Sequence, residues 1–458
     1  MTRATSLRYL GTATLMAMAV SAHAADPILE SPDRQIEVGL RIQDGELRYT
    51  VQRLGESVLL PSQLGLALEG AEWRNGLKLA GCGTVTSGRE RYALIGKRSV
   101  VDEPYRAVTC RVMNARGQTL RIDWRAFDGG VAFRYQAADK APVRKRFKEE
   151  LTSFRFDAGA RAWLQPMQVA QTGWMNTNPA YEEHYRRDIP VGEASPSPAG
   201  WVFPALFRSG PATWIALTEA GMDGRFHASR LQSGFEGGEY RMGQPMAAEI
   251  FPGGGLLADV AGTLTTPWRV IALGPLPSLM ASTLGTDLAA PAVKFPADRL
   301  KPGPASWSWA LLKDDGTVYD VQQRFIDYAA DMGWPYTLID ADWDRKIGWE
   351  RIQTLAAYAK GKGVGLWLWY NSSGAWNKTE YTPKSALIDA GRRRAEFARL
   401  SKAGIRGLKI DFFGGDGQSM IRYYVDILND AAAAGLLINF HGATLPRGWA
   451  RTYPHLMT

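Results

Sequence analysis

Residues 404–418 read GIRGLKIDFFGGDGQ, and this stretch decides the fold because it sets two opposite charges inside an apolar strand pattern. Side chains in an extended strand alternate between two faces. The charged face predicts either a buried ion pair that fixes strand register or a catalytic carboxylate beside its orienting cation. Both interpretations stay open on these residues alone. The two predicted faces consist of Leu408, Ile410 and Phe412, and of Lys409, Asp411 and Phe413.

From about residue 305 to residue 458, strand patterns of this kind alternate with helix patterns. Helix patterns that end in glycine separate the strands, and the first helix has an apolar face of Val321, Phe325, Tyr328 and Met332. This alternation predicts a parallel sheet covered by helices, either a (β/α)8 barrel or an open doubly wound sheet. No phosphate-cradling glycine motif follows the first strand, which disfavours a nucleotide-binding fold. The five strand patterns are ASWSWALL at 305–312, YTLIDADW at 336–343, VGLWLWYNSS at 364–373, IRGLKIDFF at 405–413 and LLINFHG at 436–442.

Polar residues gather where these predicted strands end. Barrel enzymes build their active sites at the carboxyl ends of the strands. The five histidines of the chain are too scattered to predict a zinc site. The pattern therefore predicts a site at one edge of the sheet, drawn from Asp340, Asp342, Asn371, Asp411, Asn439 and His441.

Residues 26 to about 295 have a different pattern. Short alternating runs are separated by turn signals, and Asp128, Gly129 and Gly130 join two of them as a predicted hairpin. No long helical stripe appears in this half. We therefore predict an antiparallel β-sandwich domain over residues 25–297, followed by the α/β domain over residues 298–458.

The composition fits two sizeable cores, because 45% of the 458 residues are hydrophobic. The net charge is +8, from 54 Lys and Arg against 46 Asp and Glu, but the two signs are interspersed and form no basic tract. A nucleic-acid partner is therefore not predicted. The 16 tryptophans suit stacking on sugar rings as well as core packing, so they decide little.

The first 24 residues have the pattern of a secretory signal peptide. Arg3 and Arg8 precede an apolar run, and Ala22-His23-Ala24 forms a cleavage site. We expect cleavage after Ala24 and export to the periplasm or the medium. The apolar run is too short to span a membrane, and no later segment qualifies.

Cys82 and Cys110 are the only cysteines of the chain. A disulfide between them is chemically permitted in an oxidising compartment. Two buried free thiols fit the sequence equally well, and the alternative stays open here.

Seven blocks of the chain resemble glycoside hydrolase family 97, in the order of that family. The resemblance implies an N-terminal β-super-sandwich, a catalytic (β/α)8 TIM-type barrel and a small C-terminal β-domain. Only about five of eight barrel strands precede Thr458, so we expect the barrel to be incomplete and the chain to be truncated. The blocks are SPDRQIEV, FDGGVAFRY, PAYEEHY, TTPWRVI, GWPYTLIDADW, GLKIDFFGGDGQ and NFHGATLPRGWARTYPHLMT.

The family contains retaining α-galactosidases and inverting α-glucosidases, and two positions separate them. Retaining members have an aspartate nucleophile at the end of the fourth barrel strand, where this chain has Asp411. Inverting members have glycine there and carry a glutamate after the fifth-strand histidine, where this chain has Gly442. The resemblance therefore implies a retaining mechanism and favours an α-galactoside.

Retaining hydrolysis needs a second carboxyl group about 5 Å from the nucleophile to act as acid and base. The resemblance puts this glutamate beyond Thr458. Glu380 is the one nearby acidic candidate, and a solvated loop charge is the better interpretation of it. We therefore expect the 458-residue chain to be inactive toward an aryl α-galactoside.

Some members of the family bind calcium through glutamates at the active site. Glu182 matches the ligand that the N-terminal domain contributes, and hard carboxylate oxygens suit this ion. The other acidic ligands are expected beyond Thr458, so the predicted calcium site is incomplete. A solvated loop acid is an equally good interpretation of Glu182.

Several further residues are predicted to bind the glycoside or oligosaccharide substrate. Lys409 supplies positive charge beside Asp411 or binds a sugar hydroxyl. One of Asp340 and Asp342 binds a hydroxyl, and the other caps a loop. Trp307, Trp309, Trp343 and Trp369 are stacking candidates, although core packing is the better interpretation for each. The substrate-binding prediction comprises Lys409, His441, Asp340, Asn371 and Trp309.

Three alternatives to a retaining α-galactosidase remain at this point. The first is an inverting, calcium-dependent α-glucosidase. The second is a noncatalytic carbohydrate-binding fragment, which the expected loss of the proton donor favours. The third is an inert product that aggregates through exposed strand edges. The sequence predicts no oligomeric state.

Overall fold

The computed structural model describes residues 25–138, 143–168, 181–233 and 236–457. The predicted signal peptide, residues 1–24, lies outside the described residues. Within the described ranges, no helix is both long enough and apolar enough to cross a membrane.

The first half of the chain consists of strands. In chain order they are β1 (Asp26–Glu30), β2 (Ile36–Gln43), β3 (Glu46–Arg53), β4 (Glu56–Leu64), β5 (Leu66–Leu68), β6 (Ala71–Trp73), β7 (Lys78–Cys82), β8 (Thr86–Ala93), β9 (Val100–Met113), β10 (Thr119–Phe127), β11 (Gly130–Ala137), β12 (Arg144–Glu150), β13 (Ser153–Arg155), β14 (Arg161–Leu164), β15 (Arg186–Pro190), β16 (Ala205–Ser209), β17 (Thr213–Ala220), β18 (Arg230–Leu231), β19 (Glu239–Gly243), β20 (Asp259–Ala261), β21 (Leu264–Thr265) and β22 (Trp268–Gly274).

These strands form antiparallel sheets. One sheet has the order β1-β2-β3-β4-β13-β19-β18, and a larger one has the order β15-β14-β16-β17-β22-β11-β10-β9-β7, with β8 beside β9 and β21 beside β11. A small sheet has the order β20-β12-β5-β6. Tyr49 of β3 packs on Trp124 of β10 and Phe133 of β11, with ring centroids 5.7 and 5.5 Å apart. The core therefore lies between the two large sheets, as in a sandwich.

The predicted hairpin is confirmed, because Phe127 of β10 pairs with Gly130 of β11. The alternation in β10 has its expected consequence, since every second side chain from Leu120 to Ala126 is buried. Cys82 of β7 and Cys110 of β9 are paired across the two strands and form a disulfide. The structure thereby decides the alternative that the sequence left open.

The second half of the chain is a parallel sheet with helices. Its strands have the order β23-β24-β25-β26-β27, and all neighbours are parallel, as predicted. Short 3₁₀ turns occupy Glu236–Gly238 in the first half of the chain, and Ala297–Arg299 and Lys313–Gly316 in the second. The other elements are α1 (Leu276–Ala281), α2 (Leu284–Asp287), β23 (Ala305–Trp307), α3 (Trp309–Leu312), α4 (Tyr319–Asp331), β24 (Tyr336–Ile339), α5 (Trp343–Lys346), α6 (Trp349–Gly361), β25 (Gly365–Asn371), α7 (Ala390–Lys402), β26 (Gly407–Asp411), α8 (Gln418–Ala434), β27 (Leu437–Phe440) and α9 (Trp449–Thr452).

The strands are shorter than the sequence predicts, and the first one differs most. β23 ends at Trp307, and the chain then turns into α3, where the N–H of Leu312 donates to the carbonyl of Ser308 at 2.8 Å. The predicted strand over 305–312 is therefore wrong from residue 308 onward. The turn directs Trp309 toward the end of the sheet rather than into a core.

The first long helix, α4, forms where predicted but buries a different face. Tyr328 and Met332 of the predicted apolar face are about half exposed, at 49% and 50%. Gln322, Ile326 and Ala329 are buried instead. The buried Gln322 amide nitrogen finds partners inside the structure, because it donates to the Gly316 carbonyl at 2.6 Å and to the Ser308 hydroxyl at 2.9 Å.

The two halves of the chain pack against each other. Met222 and Ala228 of the first half belong to the apolar core of the parallel sheet and its helices. The indole N–H of Trp449 in α9 donates to the Met222 carbonyl at 2.8 Å. Loops of the sandwich are thereby held against the carboxyl edge of the parallel sheet.

Candidate functional site

A cavity of about 470 Å³ opens at the carboxyl ends of the parallel strands. The ends of β24, β26 and β27 bring Asp340, Asp411 and His441 to this cavity, together with Lys409 of β26. The sequence predicted these four for the site, and the structure places them together. The cavity is lined by Gln168, Glu182, Trp307, Trp309, Asp314, Asp340, Ala341, Trp369, Tyr381, Lys409, Asp411, Phe412, His441 and Gly442.

Lys409 lies between two carboxylates of this wall. Its Nζ is 3.1 Å from Oδ2 of Asp340 and 3.6 Å from Oδ2 of Asp411. The indole N–H of Trp307 donates to the same Asp340 oxygen at 2.5 Å, and Lys409 Nζ lies 4.5 Å from the Trp307 ring centre. Asp340 is therefore the firmly held carboxylate of the pair, and Asp411 is held more weakly.

Asp411 is the last residue of β26, and the backbone turns sharply after it. Phe412 has a φ of 66°, a left-handed conformation that is unusual for an aromatic residue. Its N–H donates to Oδ1 of Asp411 at 2.9 Å, while the Trp369 indole N–H is 3.3 Å from Oδ2. The turn orients the Asp411 carboxylate into the cavity and leaves Oδ2 with only long contacts.

The same turn corrects the alternation predicted for residues 408–413. Phe412 lines the cavity, whereas Phe413 is buried with Leu408 and Ile410. The alternation fails at Phe412 because the strand ends at Asp411.

Gly442 follows His441 and touches the Asp411 carboxylate. A Cβ atom at this position would lie 2.8 Å from Oδ1 of Asp411 and 3.0 Å from the backbone nitrogen of Phe412. Real Cβ atoms do not approach other atoms this closely, and the φ of 49° adds strain for any other residue. A side chain at 442 and the observed position of Asp411 therefore exclude each other.

His441 is placed at the end of β27 by a backbone hydrogen bond. Its N–H donates to the Ile410 carbonyl at 2.8 Å, and its ring meets the Trp307 ring edge-on, with centroids 6.3 Å apart. Burial lowers the pKa of His441, and the charge of Lys409 lowers it further, against the opposing carboxylates of Asp411 and Asp340. The imidazole is therefore neutral at pH 7 and can donate and accept one hydrogen bond each.

Aromatic side chains form the remaining walls. Trp307 and Trp309 are stacked with centroids 5.2 Å apart, and the Trp309 indole N–H donates to Asp314 at 2.9 Å. Tyr381 stacks on Phe412 at 5.9 Å. For Trp307 and Trp309, cavity lining replaces the core packing that the sequence favoured, because β23 ends early.

Four residues line the cavity but were not predicted from the sequence, namely Gln168, Asp314, Tyr381 and Phe412. Tyr381 lies in the segment 372–389 between β25 and α7, which is longer than most strand-to-helix loops. Loop length at the carboxyl edge is thus a signal that was available for Tyr381. No sequence pattern marked Phe412 as a cavity residue, because it lines the cavity only as a result of the backbone turn that follows Asp411.

Glu182 reaches this cavity from the sandwich half of the chain. The residue is exposed overall, but loss of hydration at the carboxyl group raises the pKa of Glu182, and the nearby Asp411 raises it further. A hydrogen bond from the Gly442 N–H and the charge of Lys409 oppose this rise. The carboxyl group of Glu182 therefore faces the nucleophile candidate across the cavity.

Calcium does not fit the residues around Glu182. Among the described residues, no three His, Cys, Asp or Glu side chains converge on a point that would hold a metal ion. Calcium takes about six to eight oxygen ligands, and Glu182 supplies one carboxylate beside the positive charge of Lys409.

Other predicted residues lie away from the cavity lining. The Asn371 amide is engaged by its own loop, donating to Thr379 at 3.1 Å and accepting from the Ser373 N–H at 2.9 Å, so the structure does not bring it to the cavity. Asp342 accepts from Thr382 N–H and from Arg345 and braces a loop.

Three further candidates are also placed elsewhere. Asn439 donates to the Met457 carbonyl at 2.5 Å. Trp343 is core, 2% exposed. Glu380 is exposed and does not line the cavity, which agrees with its interpretation as a loop charge.

Two family models match the chain. The model described as glycosyl-hydrolase 97 N-terminal matches residues 29–291, and the model described as glycoside hydrolase 97 matches residues 304–458. A probable retaining α-galactosidase of Streptomyces bingchenggensis is 30% identical over 441 residues, which are 93% of this chain and 63% of that protein. A retaining α-galactosidase of Bacteroides thetaiotaomicron is 22% identical, over 94% of this chain and 66% of that protein. The chain thus spans less than two thirds of the length of either relative.

Solved structures of similar fold extend the comparison. A β-arabinopyranosidase is 37% identical and superimposes with a TM-score of 0.87, over 93% of this chain and 68% of that one. A family 97 enzyme of Pseudoalteromonas sp. strain K8, solved with panose, has a TM-score of 0.75 and 20% identity over the same shares. This second likeness shows the fold alone. With family models over both halves, the chain belongs to glycoside hydrolase family 97.

Proposed function

We propose that this chain carries the substrate-binding wall and the nucleophile of a retaining glycosidase that acts on terminal α-galactosides. The observation that carries the proposal is the Asp411 carboxylate, which lines the cavity 3.6 Å from Lys409 in space that Gly442 leaves open. The two relatives named as retaining α-galactosidases support the substrate class.

The proposed first step is attack by Oδ2 of Asp411 on the anomeric carbon. The new bond forms between Oδ2 and C1, and the bond from C1 to the leaving oxygen breaks with both electrons going to that oxygen. Oδ2 suits this role because its contacts, to Trp369 and Lys409, are 3.3 and 3.6 Å long. Water then attacks C1 from the face that the leaving group occupied, and the bond between C1 and Oδ2 breaks with both electrons returning to the Asp411 carboxylate, so the original configuration is restored. The proton that water loses balances the proton that the leaving oxygen takes up.

The surrounding residues are proposed to hold the sugar. Asp340 and Lys409 form a donor–acceptor pair for ring hydroxyls, because each is fixed by the other at 3.1 Å. The neutral His441 adds one donor and one acceptor, and the Trp309 face offers a stacking surface. Asp340 and Asp314 are not assigned the acid role, because Asp340 is paired with Lys409 and Asp314 accepts from Trp309.

The finer architecture and the location are proposals as well. Five consecutive parallel strands with a cavity at their carboxyl ends support a (β/α)8 barrel wall. The disulfide of Cys82 and Cys110 fits the oxidising compartment that the signal peptide predicts. Among the described residues Glu182 lacks the further carboxylate partners that a calcium site needs, so no chemical step is assigned to that ion.

A second candidate substrate is a β-L-arabinopyranoside. The structure that is 37% identical carries the name β-arabinopyranosidase. The ring of β-L-arabinopyranose has the configuration of α-D-galactopyranose without the exocyclic hydroxymethyl group. The same wall of Asp340, Lys409 and Asp411 therefore suits both sugars, and relative rates on the two glycosyl fluorides decide between them.

The test uses α-D-galactosyl fluoride with azide as acceptor. Fluoride leaves without a proton and azide attacks without a base, so the assay reports the Asp411 step alone. We expect α-galactosyl azide as the first product of the wild-type chain in the ¹H NMR spectrum, and no α-galactosyl azide from Asp411→Asn. β-Galactosyl azide from the wild-type chain, or equal formation of the α-azide by the variant, would contradict the retaining assignment.

A further inference from the structure

A network of buried charges joins the sandwich to the loops that follow β26 and β27. Asp416, five residues after Asp411, has no exposed surface. Its carboxylate accepts from Thr444 at 2.5 Å and from Arg230 of the sandwich at 3.3 Å. Arg447, also buried, pairs with Glu219 of the sandwich at 2.5 Å. These direct ion pairs hold the two halves together at the edge of the cavity.

Tyr181 enters the same network from the sandwich side. Its hydroxyl donates to Oδ2 of Asp416 at 2.5 Å and accepts from Nη2 of Arg447 at 2.7 Å. Asp416 and Arg447 belong to the two loops that carry Asp411 and His441 at their starts. One hydroxyl therefore ties a sandwich segment to both of these loops.

The next residue along the chain is Glu182, which lines the cavity together with Asp411 and Gly442. Its backbone is fixed on the other side by Gln165. With its amide oxygen oriented toward them, Gln165 accepts from the N–H groups of Glu182 and Glu183 at 3.3 and 3.2 Å. Glu182 thus stands between two anchors, the Tyr181 hydroxyl and the Gln165 amide.

We propose that Tyr181 is the positioning residue that holds Glu182 over the cavity beside Asp411. Domain docking does not need this hydroxyl, because Arg230–Asp416 and Arg447–Glu219 already bridge the halves. Removal of the hydroxyl therefore releases the segment around Glu182 while the domains stay together. The consequence for catalysis rests on the proposed function, whereas the consequence for the segment does not.

The first test measures amide hydrogen exchange in the segment 181–186 by mass spectrometry. Tyr181→Phe should lower protection of the Glu182 and Glu183 amides about tenfold or more, because a hydrogen bond to a charged group is lost. The matched control is Tyr185→Phe in the same segment, whose hydroxyl donates to the Pro204 carbonyl at 3.1 Å and does not touch the cavity. Unchanged protection in Tyr181→Phe, or an equal fall in the control, would overturn the proposal.

A second variant guards against a general loss of structure. Thr444→Val removes a partner of both Asp416 and Arg447 but leaves the Tyr181 hydroxyl in place. We expect it to leave exchange of the 181–186 segment unchanged. If Thr444→Val loosens the segment as much as Tyr181→Phe, the network as a whole holds Glu182, and the assignment to Tyr181 is wrong.

The catalytic arm is a double-mutant cycle on the rate of azide transfer. We expect Tyr181→Phe to change the rate in the same direction as Glu182→Gln, and the double variant to be no slower than Glu182→Gln, because the hydroxyl acts only through Glu182. Additive losses would show that Tyr181 acts on the reaction by another route. If the wild-type chain transfers no galactose, the proposed function fails, and the exchange experiment still decides the positioning role.

Discussion

Asp411 and Asp416 lie five residues apart, and each carboxylate faces cations, yet their surroundings differ in kind. Asp411 lines a cavity, and its nearest cation, Lys409, is 3.6 Å away and closer to Asp340. Asp416 is fully buried and accepts from Thr444, Tyr181 and Arg230. The first is a carboxylate with room for a substrate, and the second is a carboxylate whose partners are all protein.

We propose that this difference separates a structural ion pair from a reactive one. In a buried network, every charge must be paired, because an unpaired one is costly to desolvate. In a reactive site, one carboxylate keeps weak contacts and open space so that a new bond can form. Loss of a charged partner should therefore lower the stability of the protein when the partner belongs to the buried network. At the cavity, loss of a charged group should lower the reaction rate and leave stability unchanged.

The largest expected effect is on the reaction of Asp411→Asn. The amide is isosteric but a poor nucleophile, so galactosyl transfer from the fluoride should fall on the order of 10⁴-fold or more. Stability should not fall, because the Lys409–Asp340 pair remains at 3.1 Å. Urea unfolding and transfer rates measured on the same sample check both expectations. If Asp411→Asn lowered the urea midpoint but kept the transfer rate, Asp411 would be a structural carboxylate and not a reactive one.

The next largest effect is on the stability of Arg447→Met. The substitution leaves Asp416 and Glu219 with fewer partners in a fully buried place, which should cost about 3–5 kcal/mol of unfolding free energy. Arg146→Met serves as the control, because its pair with Glu69 is more than half exposed. We expect the control to unfold at the wild-type urea concentration, and matching midpoints for both variants would refute the distinction.

Acid sensitivity sharpens the contrast between a core histidine and the cavity histidine. Burial lowers the pKa of His455 to about 4, while its Nε2 is 2.9 Å from the Leu428 carbonyl. The unfolded chain binds this proton below about pH 6.5 and the folded chain does not, so stability falls from pH 6.5 to 4. The loss should reach about 3 kcal/mol.

The measurement is the unfolding free energy of wild type and His455→Gln across this pH range. The variant should lack this part of the pH dependence, because glutamine keeps a polar group without titrating. His441→Gln should change the pH dependence less, since His441 is partly exposed and its carboxylate neighbours oppose the shift. Parallel curves for wild type and His455→Gln would show that His455 is not the acid-sensitive group.

The smallest expected effect comes from Gly442→Ala. The added Cβ meets Oδ1 of Asp411 at 2.8 Å and the Phe412 nitrogen at 3.0 Å, so the carboxylate must move. A displacement of this size should lower transfer about 10- to 100-fold. Gly404→Ala is the control, because its φ of 87° adds the same kind of strain but nothing lies within 4 Å. Similar losses of rate in both variants would point to backbone strain rather than contact with Asp411.

Much of the fold followed from the sequence because its signals are local. The β10–β11 hairpin, the five parallel strands and the helices ending at glycines were all predicted from periodicity and turn residues. The strand β26 also placed Lys409 and Asp411 on one face correctly. These features depend on neighbours in the chain, which the sequence displays directly.

The site was only partly predictable because its remaining parts depend on backbone turns and distant contacts. The left-handed turn at Phe412 exchanges the expected faces of Phe412 and Phe413. Asn371 ends its strand as Asp411 does, but its side-chain amide forms hydrogen bonds with residues of the loop that follows the strand. Tyr181 reaches Asp416 across 235 residues of chain, and no sequence pattern marks that contact.

The most direct test of the proposed mechanism is to locate the covalent bond that Asp411 is proposed to form with a sugar. A slow-turnover substrate such as 5-fluoro-α-D-galactosyl fluoride traps the intermediate on a retaining nucleophile, and peptide mapping by mass spectrometry finds the modified residue. We predict a single galactosyl adduct on the carboxylate of Asp411. An adduct on Asp340, Glu182 or any other residue, or none at all while fluoride is released, would contradict the account.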